Sequence, residues 1–184
     1  MANKNSNLQS AKNTKNDEFY TTYETVESEV AHYVSHFVGK TVLCNCDDPF
    51  ESNFCKYFLR NFNILGLHRL ICSSYCASAV ANTQLSLFDD THQSLKEGAG
   101  YVLDVFKFSD SLSEISDAEI TRFLRSANVI RKLKGSGDFR SQECIQYLKD
   151  SDIVVTNPPF SLFKEIVSEI MKYNKKFLII GNQN

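Results

Sequence analysis

The chain has 184 residues, a hydrophobic content of 42% and a charged content of 23%, values typical of a soluble globular domain. It has no apolar run of the roughly 18 residues that a membrane-spanning helix needs, and its polar N-terminus lacks a signal-peptide core. We therefore expect a cytoplasmic protein without membrane contacts. The formal net charge of −2 argues against a broadly basic nucleic-acid surface, although it allows one local basic face.

The first sixteen residues are rich in Asn, Lys, Ser and Gln and contain three lysines and no acid. This composition predicts a disordered basic arm over residues 1–16, either a solvated tail or a weak DNA-contacting arm. Residues 17–184 are patterned as one domain. Apolar residues at helical spacing predict a first helix over residues 24–38 that stops at Gly39. The residues expected to face the core are Val26, Val30, Val34 and Phe37.

Short apolar segments predict strands over residues 41–46, 68–72, 100–108, 152–156 and 176–180. Between them, one helix is predicted from an Asp48 N-cap to about Phe62, with Pro49 at the first helical position and Glu51 as capping-box partner. A further helix is predicted over residues 117–132, capped by Ser116 or Asp117, and a short helical turn over residues 144–148. A last helix is predicted to start after a Ser161 cap. This alternation predicts an α/β fold whose parallel sheet is covered on both faces.

The six cysteines form no dense disulfide pattern, and free thiols are the default in a protein without an export signal. Zinc is the alternative. However, Cys44-x-Cys46 and Cys72-x-x-x-Cys76 lack the paired Cys-x-x-Cys spacing of zinc knuckles, so we expect no metal site.

The most informative motif is Asn157-Pro158-Pro159-Phe160, at the predicted carboxyl end of a strand, where ligands bind in open α/β folds. Methylation of an aromatic amine is helped by acceptors for both amine protons, because they pull the nitrogen toward tetrahedral geometry. The Asn157 side-chain oxygen and the Pro158 carbonyl are such acceptors, pre-positioned by the prolines. Phe160 offers a face for an extruded base. A strand-terminating turn with a core Phe is the structural alternative.

Asp47-Asp48-Pro49 follows the first strand, where a cofactor crosses a doubly wound sheet. Acidic side chains there can hold ribose hydroxyls or an amino group, and a plain capping box is the alternative. The segment lacks a Gly-x-Gly-x-x-Gly fingerprint, which argues against an ordinary dinucleotide dehydrogenase.

Two more motifs are weaker when taken alone. Asp138-Phe139 follows a Gly-rich turn. The carboxylate can bond an adenine amino group while the aromatic ring packs on the adenine. The alternative is an ordinary turn Asp followed by a core Phe. Tyr20-Thr21 precedes the first helix within Asp17-Glu18-Phe19-Tyr20-Thr21-Thr22, a segment that can close over a cofactor or serve as a helix lead-in.

Taken in order, these four motifs resemble the EcoRI-type family of adenine-specific DNA methyltransferases. The resemblance covers most of residues 15–184 and includes Asn45–Asp48, Ser52-Asn53-Phe54 and Gly181-Asn182. It implies a seven-stranded Rossmann-like sheet, S-adenosylmethionine as cofactor, and double-stranded DNA with a flipped adenine as substrate. It also implies a cofactor site formed by Tyr20, Thr21, Asp47, Asp48, Pro49, Asp138 and Phe139. The target base would be held by Asn157, Pro158, Pro159 and Phe160.

Two features depart from the family pattern. Ser73-Ser74-Tyr75, after the second strand, contains no acid for the ribose. Two outcomes stay open: Asp47 or Asp48 takes the place of that acid, or ribose binding is weak. The chain also reaches Asn184 just after the fifth expected strand. We therefore expect a sheet that lacks its last strands, in a methyltransferase domain (residues 17–184) that is incomplete at its C-terminus and a poor catalyst by itself.

The sequence thus predicts a site-specific DNA methyltransferase that transfers a methyl group from S-adenosylmethionine to the exocyclic amino group of adenine. Two alternatives stay open: a truncated remnant that binds the cofactor without turnover, and an enzyme that methylates RNA or protein glutamine, since those classes use close variants of Asn-Pro-Pro-Phe. The family allows a restriction-endonuclease partner, but the sequence predicts neither such a partner nor the DNA sequence that is recognised.

Overall fold

The computed structural model describes residues 21–75, 99–106, 116–126 and 129–180. The predicted basic arm, Tyr20, Cys76 and Gly181-Asn182 lie outside these residues. The helices are α1 (Tyr23–Ala31), α2 (Val34–Phe37), α3 (Asn53–Arg60), α4 (Asp117–Ser126), α5 (Gln142–Asp150) and α6 (Phe163–Lys172). The strands are β1 (Thr41–Asn45), β2 (Arg69–Ser73), β3 (Tyr101–Val105), β4 (Ile130–Lys132), β5 (Ile153–Thr156) and β6 (Lys176–Ile179).

The six described strands form one sheet in the order β4-β3-β2-β1-β5-β6. The chain starts at the central strand β1, moves outward through β2, β3 and β4, and then returns to β5 on the other side of β1. The β1–β2, β1–β5 and β5–β6 pairs are parallel. The predicted α/β class, with a doubly wound and mostly parallel Rossmann-like sheet, is confirmed. Its switch point lies between β1 and β5.

Strand β3 runs antiparallel to both of its neighbours, a direction that the sequence pattern did not predict. The side chains of Arg69 on β2 and Asp104 on β3 form a bidentate ion pair with two N–O distances of 2.7 Å. This ion pair is the main reason that the pKa of Arg69 is raised. Because β3 is reversed, its first residue, Tyr101, lies at the same edge of the sheet as the last residues of β1 and β2.

Alternating strand residues pack on the two faces of the sheet, as expected for a sheet covered on both sides. On one face, Val42 and Cys44 belong to a core that includes residues of α1, α3 and α4. On the other face, Leu43 and Val154 pack in a second core with residues of α5 and α6. The fold therefore has three layers, and the helices leave the carboxyl ends of the strands to the connecting loops.

The first predicted helix is interrupted. Residues 24–38 form two helices, α1 and α2, because the N–H of Tyr33 bonds to the carbonyl of Val30 at 2.9 Å and closes a tighter turn. This change of phase turns Val34 outward, where 39% of it is exposed. The expectation that Val34 faces the core was therefore wrong, whereas Val26, Val30 and Phe37 are buried as predicted.

The helix predicted over residues 117–132 is also shorter than expected. Helix α4 ends at Ser126, and residues 130–132 form strand β4, in which Lys132 pairs with Tyr101 of β3. Pairing with a distant strand has overridden the local helical pattern. The predicted Ser116 cap is confirmed, because its hydroxyl accepts from the N–H of Glu119 while the Glu119 carboxylate accepts from the N–H of Ser116.

Two predicted helix starts were wrong, and one helix is longer than predicted. Asp48 does not cap the third helix, which begins at Asn53 after the N-cap Ser52. Ser161 does not cap α6, whose start follows a short 3₁₀ turn without any side-chain cap. The short turn expected over residues 144–148 is the full helix α5, which is capped by Ser141.

The five cysteines within the described ranges are free thiols, as expected. Cys44 and Cys72 are cross-strand neighbours in β1 and β2, and burial raises the pKa of Cys44 to about 11. In the same part of the chain, no group of His, Cys, Asp or Glu side chains is arranged to hold a metal ion. No helix of the described segments has the length and apolar character needed to cross a membrane.

Candidate functional site

The candidate site lies at the edge of the sheet where β1, β2, β4 and β5 end and β3 begins. Parallel pairing places Asn45 of β1 opposite Ser73 of β2, and the N–H of Ser74 continues the ladder to Tyr101 of β3. The three motifs that follow β1, β4 and β5 therefore emerge on the same side of the molecule. The fold brings together segments that are far apart in the sequence.

Asp47 is a buried carboxylate at the switch point, with 7% of the residue exposed. Its oxygens accept hydrogen bonds from the hydroxyls of Ser52, at 2.9 Å, and Thr156, at 3.1 Å. The Thr156 hydroxyl also lies within hydrogen-bonding distance of the Asn45 carbonyl. A buried charge needs such partners. Asp47 thereby connects β1, the start of α3 and the last residue of β5.

Asn157 follows Thr156 and reaches toward the segment before α1. Its side-chain nitrogen Nδ2 donates to Thr21 Oγ1 at 3.0 Å, and the Thr21 carbonyl accepts from Asn53 Nδ2 at 2.8 Å. Pro158 is buried, and Pro159 is extended, with φ −53° and ψ 138°. Phe160 is 42% exposed, so it is not the core residue that the structural alternative for this motif requires.

Asp48 organises the turn between β1 and α3. Its carboxylate accepts from the hydroxyl of Tyr101 and, at 2.9 Å, from the N–H of Phe50, while its carbonyl accepts from the N–H groups of Glu51 and Ser52. Burial first, and the Asp48 charge second, raise the pKa of Tyr101, so its hydroxyl stays protonated and donates. Pro49 is buried in this turn.

Asp138 is clamped by Arg140. The guanidinium donates to both carboxylate oxygens, at 2.9 and 2.7 Å, and the Arg140 N–H donates at 2.8 Å. These bonds lower the pKa of Asp138 and raise that of Arg140. Arg140 also donates to Glu165 of α6 at 3.0 Å. Phe139 is buried in the core that includes α5 and α6, with the Arg140 guanidinium carbon 5.2 Å from its ring centroid.

Three backbone segments meet beside Asp138. A Cβ on Gly137, where φ is +81°, would stand 2.1 Å from the Ser74 carbonyl oxygen, and a Cβ on Gly100 would stand 2.6 Å from the same atom. Neither position therefore accepts a side chain without movement of the backbone. These glycines let the segment before Asp138 approach the end of β2. The sequence marked a Gly-rich turn here but did not reveal the close approach.

The donors and acceptors at this edge fit a ligand that carries hydroxyl, amino and cationic groups. Carboxylates accept hydrogen bonds from hydroxyl and amino groups and attract cationic groups. The acidic side chains at this edge are Asp47, Asp48 and Asp138. S-adenosylmethionine has ribose hydroxyls, two amino groups and a positive sulfur, groups that carboxylates can bind, and one carboxylate that would need a different partner.

Several residues of this edge were missed by the sequence analysis as parts of the site. Tyr101 had no local signal, because its place depends on the reversed direction of β3. The spacing of Arg140 two residues after Asp138 was a readable signal for the clamp. Asn53 and Thr156 lie beside recognised motifs, but their contacts cross 32 and 109 residues of chain, to Thr21 and Asp47 respectively.

Comparison with known proteins identifies the family. The model of the family described as adenine-specific methyltransferase EcoRI matches residues 7–184. The chain belongs to this family. Among curated members, the type II methyltransferase M.EcoRI of Escherichia coli is 44% identical over 177 residues, which is 96% of this chain and 48% of the relative. M.MpnI of Mycoplasma pneumoniae is 37% identical over 172 residues, covering 94% of this chain and 42% of the relative.

A second mycoplasma member, the type II methyltransferase M.MgeORF184P of Mycoplasma genitalium, is 37% identical over 171 residues, or 93% of this chain and 42% of the relative. The chain thus spans about half the length of the EcoRI-family relatives that it matches. No solved structure matches the chain.

Membership of the EcoRI family confirms the resemblance drawn from the four motifs. The roles that the resemblance implies for individual residues stay predictions, because the contacts described above are all within the protein. Tyr20 lies outside the described residues. Thr21, which the resemblance places against the cofactor, uses its hydroxyl to contact Asn157.

Proposed function

We propose that the protein acts as a site-specific DNA methyltransferase that transfers a methyl group from S-adenosylmethionine to the exocyclic amino group of adenine in double-stranded DNA. The observation that carries the proposal is the placement of Asn157–Phe160. The motif lies at the switch point of a doubly wound sheet, its amide nitrogen is bonded to Thr21, and its aromatic ring is exposed. Membership of an adenine-specific methyltransferase family supports the same chemistry.

The residues of the motif have complementary tasks in this proposal. The Asn157 Oδ1 atom and the Pro158 carbonyl each accept one proton of the adenine amino group, while Phe160 stacks on the extruded base. Accepting both protons turns the nitrogen lone pair out of the ring plane. Because the two prolines restrict the backbone, the protein carries little reorganisation cost at the moment of reaction.

The cofactor is held on the other side of the switch point. Asp47, Asp48 and Pro49 line its pocket, and Asp138 and Phe139 hold its adenine, while the family resemblance assigns Tyr20 to its methionine part. When bound, S-adenosylmethionine supplies a methyl group whose carbon–sulfur bond breaks as the carbon–nitrogen bond forms, which leaves a neutral thioether. The methylated adenine nitrogen is then positively charged and releases one of the protons that face Asn157 and Pro158 to solvent water. No covalent protein intermediate is required.

The duplex DNA and its flipped adenine also belong to the proposal. Extruding a base costs a few kcal/mol, which contacts to the protein must offset. With a formal net charge of −2, the chain has no excess of positive charge for this purpose. Binding to DNA therefore depends on local basic groups and weakens steeply with added salt.

Two measurements test the proposal. Calorimetry of the chain with S-adenosylmethionine, and with its demethylated product, is expected to detect binding together with a thermal shift. A labelled-methyl assay on duplex DNA, RNA and protein, with a version of the protein extended to the length of its relatives, is then expected to label adenine in DNA. Label in RNA or in protein glutamine would replace the proposal by that activity, and binding without transfer to any substrate would indicate an inactive remnant. A folded chain that binds neither ligand would refute it.

Asn157→Ala tests the assigned role within the same assay. We expect the single-turnover rate to fall by about 10²–10³-fold, the typical cost of losing one pre-organised acceptor. Cofactor affinity should change much less, since Asn157 acts on the target amine. Asn63→Ala, which changes an exposed asparagine between α3 and β2, is the matched control. A near-normal rate in Asn157→Ala would contradict the assignment.

A further inference from the structure

We propose that Thr21 is a positioning residue for Asn157, and that Asn53 at the start of α3 holds Thr21 in place. The inference rests on the proposed function, because it explains how the Asn157 amide presents its oxygen to the target amine. It assigns the Thr21 hydroxyl to the amine-binding side of the site, whereas the family resemblance places Thr21 against the cofactor.

The need for such a residue follows from the shape of an amide. One end of the Asn157 side chain accepts hydrogen bonds and the other donates two, and a half-turn of the terminal torsion exchanges them. The neighbouring proline restricts the backbone but leaves this torsion open. A flipped amide would turn its N–H groups toward an amine that also carries protons. A contact to one end of the amide is therefore required to select the productive orientation.

Thr21 supplies that contact. Its Oγ1 atom lies 3.0 Å from Asn157 Nδ2 and accepts a hydrogen bond from it. With the nitrogen end of the amide turned toward Thr21, the oxygen end is turned away from it. The contact joins residues that are 136 positions apart, so it depends on tertiary structure rather than on local sequence.

The backbone of Thr21 is itself fixed. Its carbonyl accepts from Asn53 Nδ2 at 2.8 Å. The next residue, Thr22, is the N-cap of α1, and its hydroxyl accepts from the N–H of Thr25 at 3.3 Å. Thr21 is thus anchored through its main chain by α1 and α3, and its hydroxyl remains directed at Asn157.

The start of α3 also supports the residue before Asn157. Ser52, next to Asn53, donates to Asp47, and Asp47 accepts from the hydroxyl of Thr156. Two adjacent residues of one helix start therefore hold two adjacent residues of the β5 end, one through Asp47 and one through Thr21. This double support fixes both the strand end and the side chain that follows it.

Three substitutions separate positioning from other roles. Thr21→Val keeps the shape of the side chain and removes the hydroxyl, whereas Thr21→Ser keeps the hydroxyl. Thr121→Val makes the same change on α4, where the hydroxyl donates to the Asp117 carbonyl of its own helix. At saturating cofactor and DNA, we expect Thr21→Val to lower the single-turnover rate by roughly 3- to 10-fold, the scale of one net hydrogen bond. Thr21→Ser and Thr121→Val should transfer methyl groups at the wild-type rate.

Cofactor affinity distinguishes the two assignments of Thr21. A positioning residue for Asn157 leaves the dissociation constant of S-adenosylmethionine unchanged in Thr21→Val. Weaker cofactor binding with an unchanged transfer rate would overturn the inference in favour of a cofactor contact.

A readout that does not depend on activity is the side-chain amide signal of Asn157 in ¹⁵N-labelled protein, assigned by its loss in Asn157→Asp. We expect Thr21→Val to shift this signal and to speed its proton exchange, while Thr21→Ser preserves it. An unaltered signal in Thr21→Val would overturn the inference. If the wild-type protein transfers no methyl group to DNA, the proposed function fails, and this signal still decides whether Thr21 orients Asn157.

Discussion

The charge of Asp138 is controlled by the arginine two residues after it. Arg140 donates three hydrogen bonds to the carboxylate and lowers its pKa below the ordinary value of 3.8. A lowered pKa in the folded state means that the ionised carboxylate contributes stability above pH 3.8, and that this contribution is lost as the pH falls through the lowered value. Because Arg140 is exposed, solvent screening keeps the effect modest.

Arg140→Gln should therefore destabilise the protein most near neutral pH. As the pH falls from about 7 to about 3, we expect the difference in unfolding free energy between the variant and the wild type to shrink. Protonation of Asp138 removes from the wild type the ion pair that the variant already lacks. Urea unfolding across this range measures the difference. The matched background is Asp138→Asn, in which Arg140→Gln should show little pH dependence. If Arg140→Gln lowered the unfolding free energy equally at all pH values in the protein that retains Asp138, the Asp138–Arg140 ion pair would not be the cause.

The start of α3 combines two interactions in one side chain. The Ser52 hydroxyl accepts from the N–H groups of Phe54 and Cys55, which caps the helix, and it donates to the buried Asp47. Ser141 caps α5 by accepting from the N–H of Cys144 at 3.3 Å, and among the described residues no donation to a buried carboxylate accompanies this cap. The two serines therefore form a natural pair for comparison.

We expect Ser52→Ala to cost more stability than Ser141→Ala. Loss of a cap costs about 0.5–2 kcal/mol. At Ser52 a partner of a buried carboxylate is also removed, which adds about 1–3 kcal/mol. Urea unfolding of both variants at neutral pH is the measurement. Equal costs would show that the Ser52–Asp47 bond adds no stability.

Local patterns predicted the elements better than their ends and directions. The helical and alternating patterns located most of the strands and helices, since burial on one face leaves a period in the sequence. Asp48 and Ser52 are both good N-cap residues, and only the tertiary bond between Ser52 and Asp47 shows which of them begins the helix. The direction of β3 and the strand identity of residues 130–132 depend on pairing between distant segments, which composition does not encode.

The site was predicted in part for the same reason. Each motif was found because its residue types suit the chemistry, and the fold places them at one edge of the sheet. The Thr21–Asn157 contact, the Tyr101–Asp48 contact and the close approach of Gly137 to Ser74 were not predictable. They depend on distances between segments that are joined only by the folded sheet.

The two outer strands of the described sheet have different surfaces. Strand β4 exposes Arg131 and Lys132, whereas β6 exposes Phe177 beside Lys176, with 43% of Phe177 exposed. Unpaired strand edges template association unless charged residues blunt them. The β6 edge, where an aromatic ring is exposed, is therefore the side on which we expect the chain to associate with itself.

Phe177→Lys should reduce this association. Sedimentation at increasing micromolar concentration is expected to show that the variant remains monomeric at concentrations where the wild type self-associates. Met171→Lys adds the same charge at another exposed apolar residue, on α6, and should change the association much less. An equal effect of both substitutions would indicate net charge rather than the strand edge as the cause.

The contact between Thr21 and Asn157 also has a consequence for the order in which the protein is made. A ribosome synthesises residue 21 long before residue 157, and the two are 136 positions apart. Contacts of such long range form late in folding, because closing a long loop loses conformational entropy before the contact can stabilise the chain. Helices α1 and α3 can form while the chain is still growing, but the Asn157 amide acquires its orientation only after β5 has joined the sheet. A partly synthesised chain therefore carries the carboxylates that follow β1 without an oriented amide acceptor.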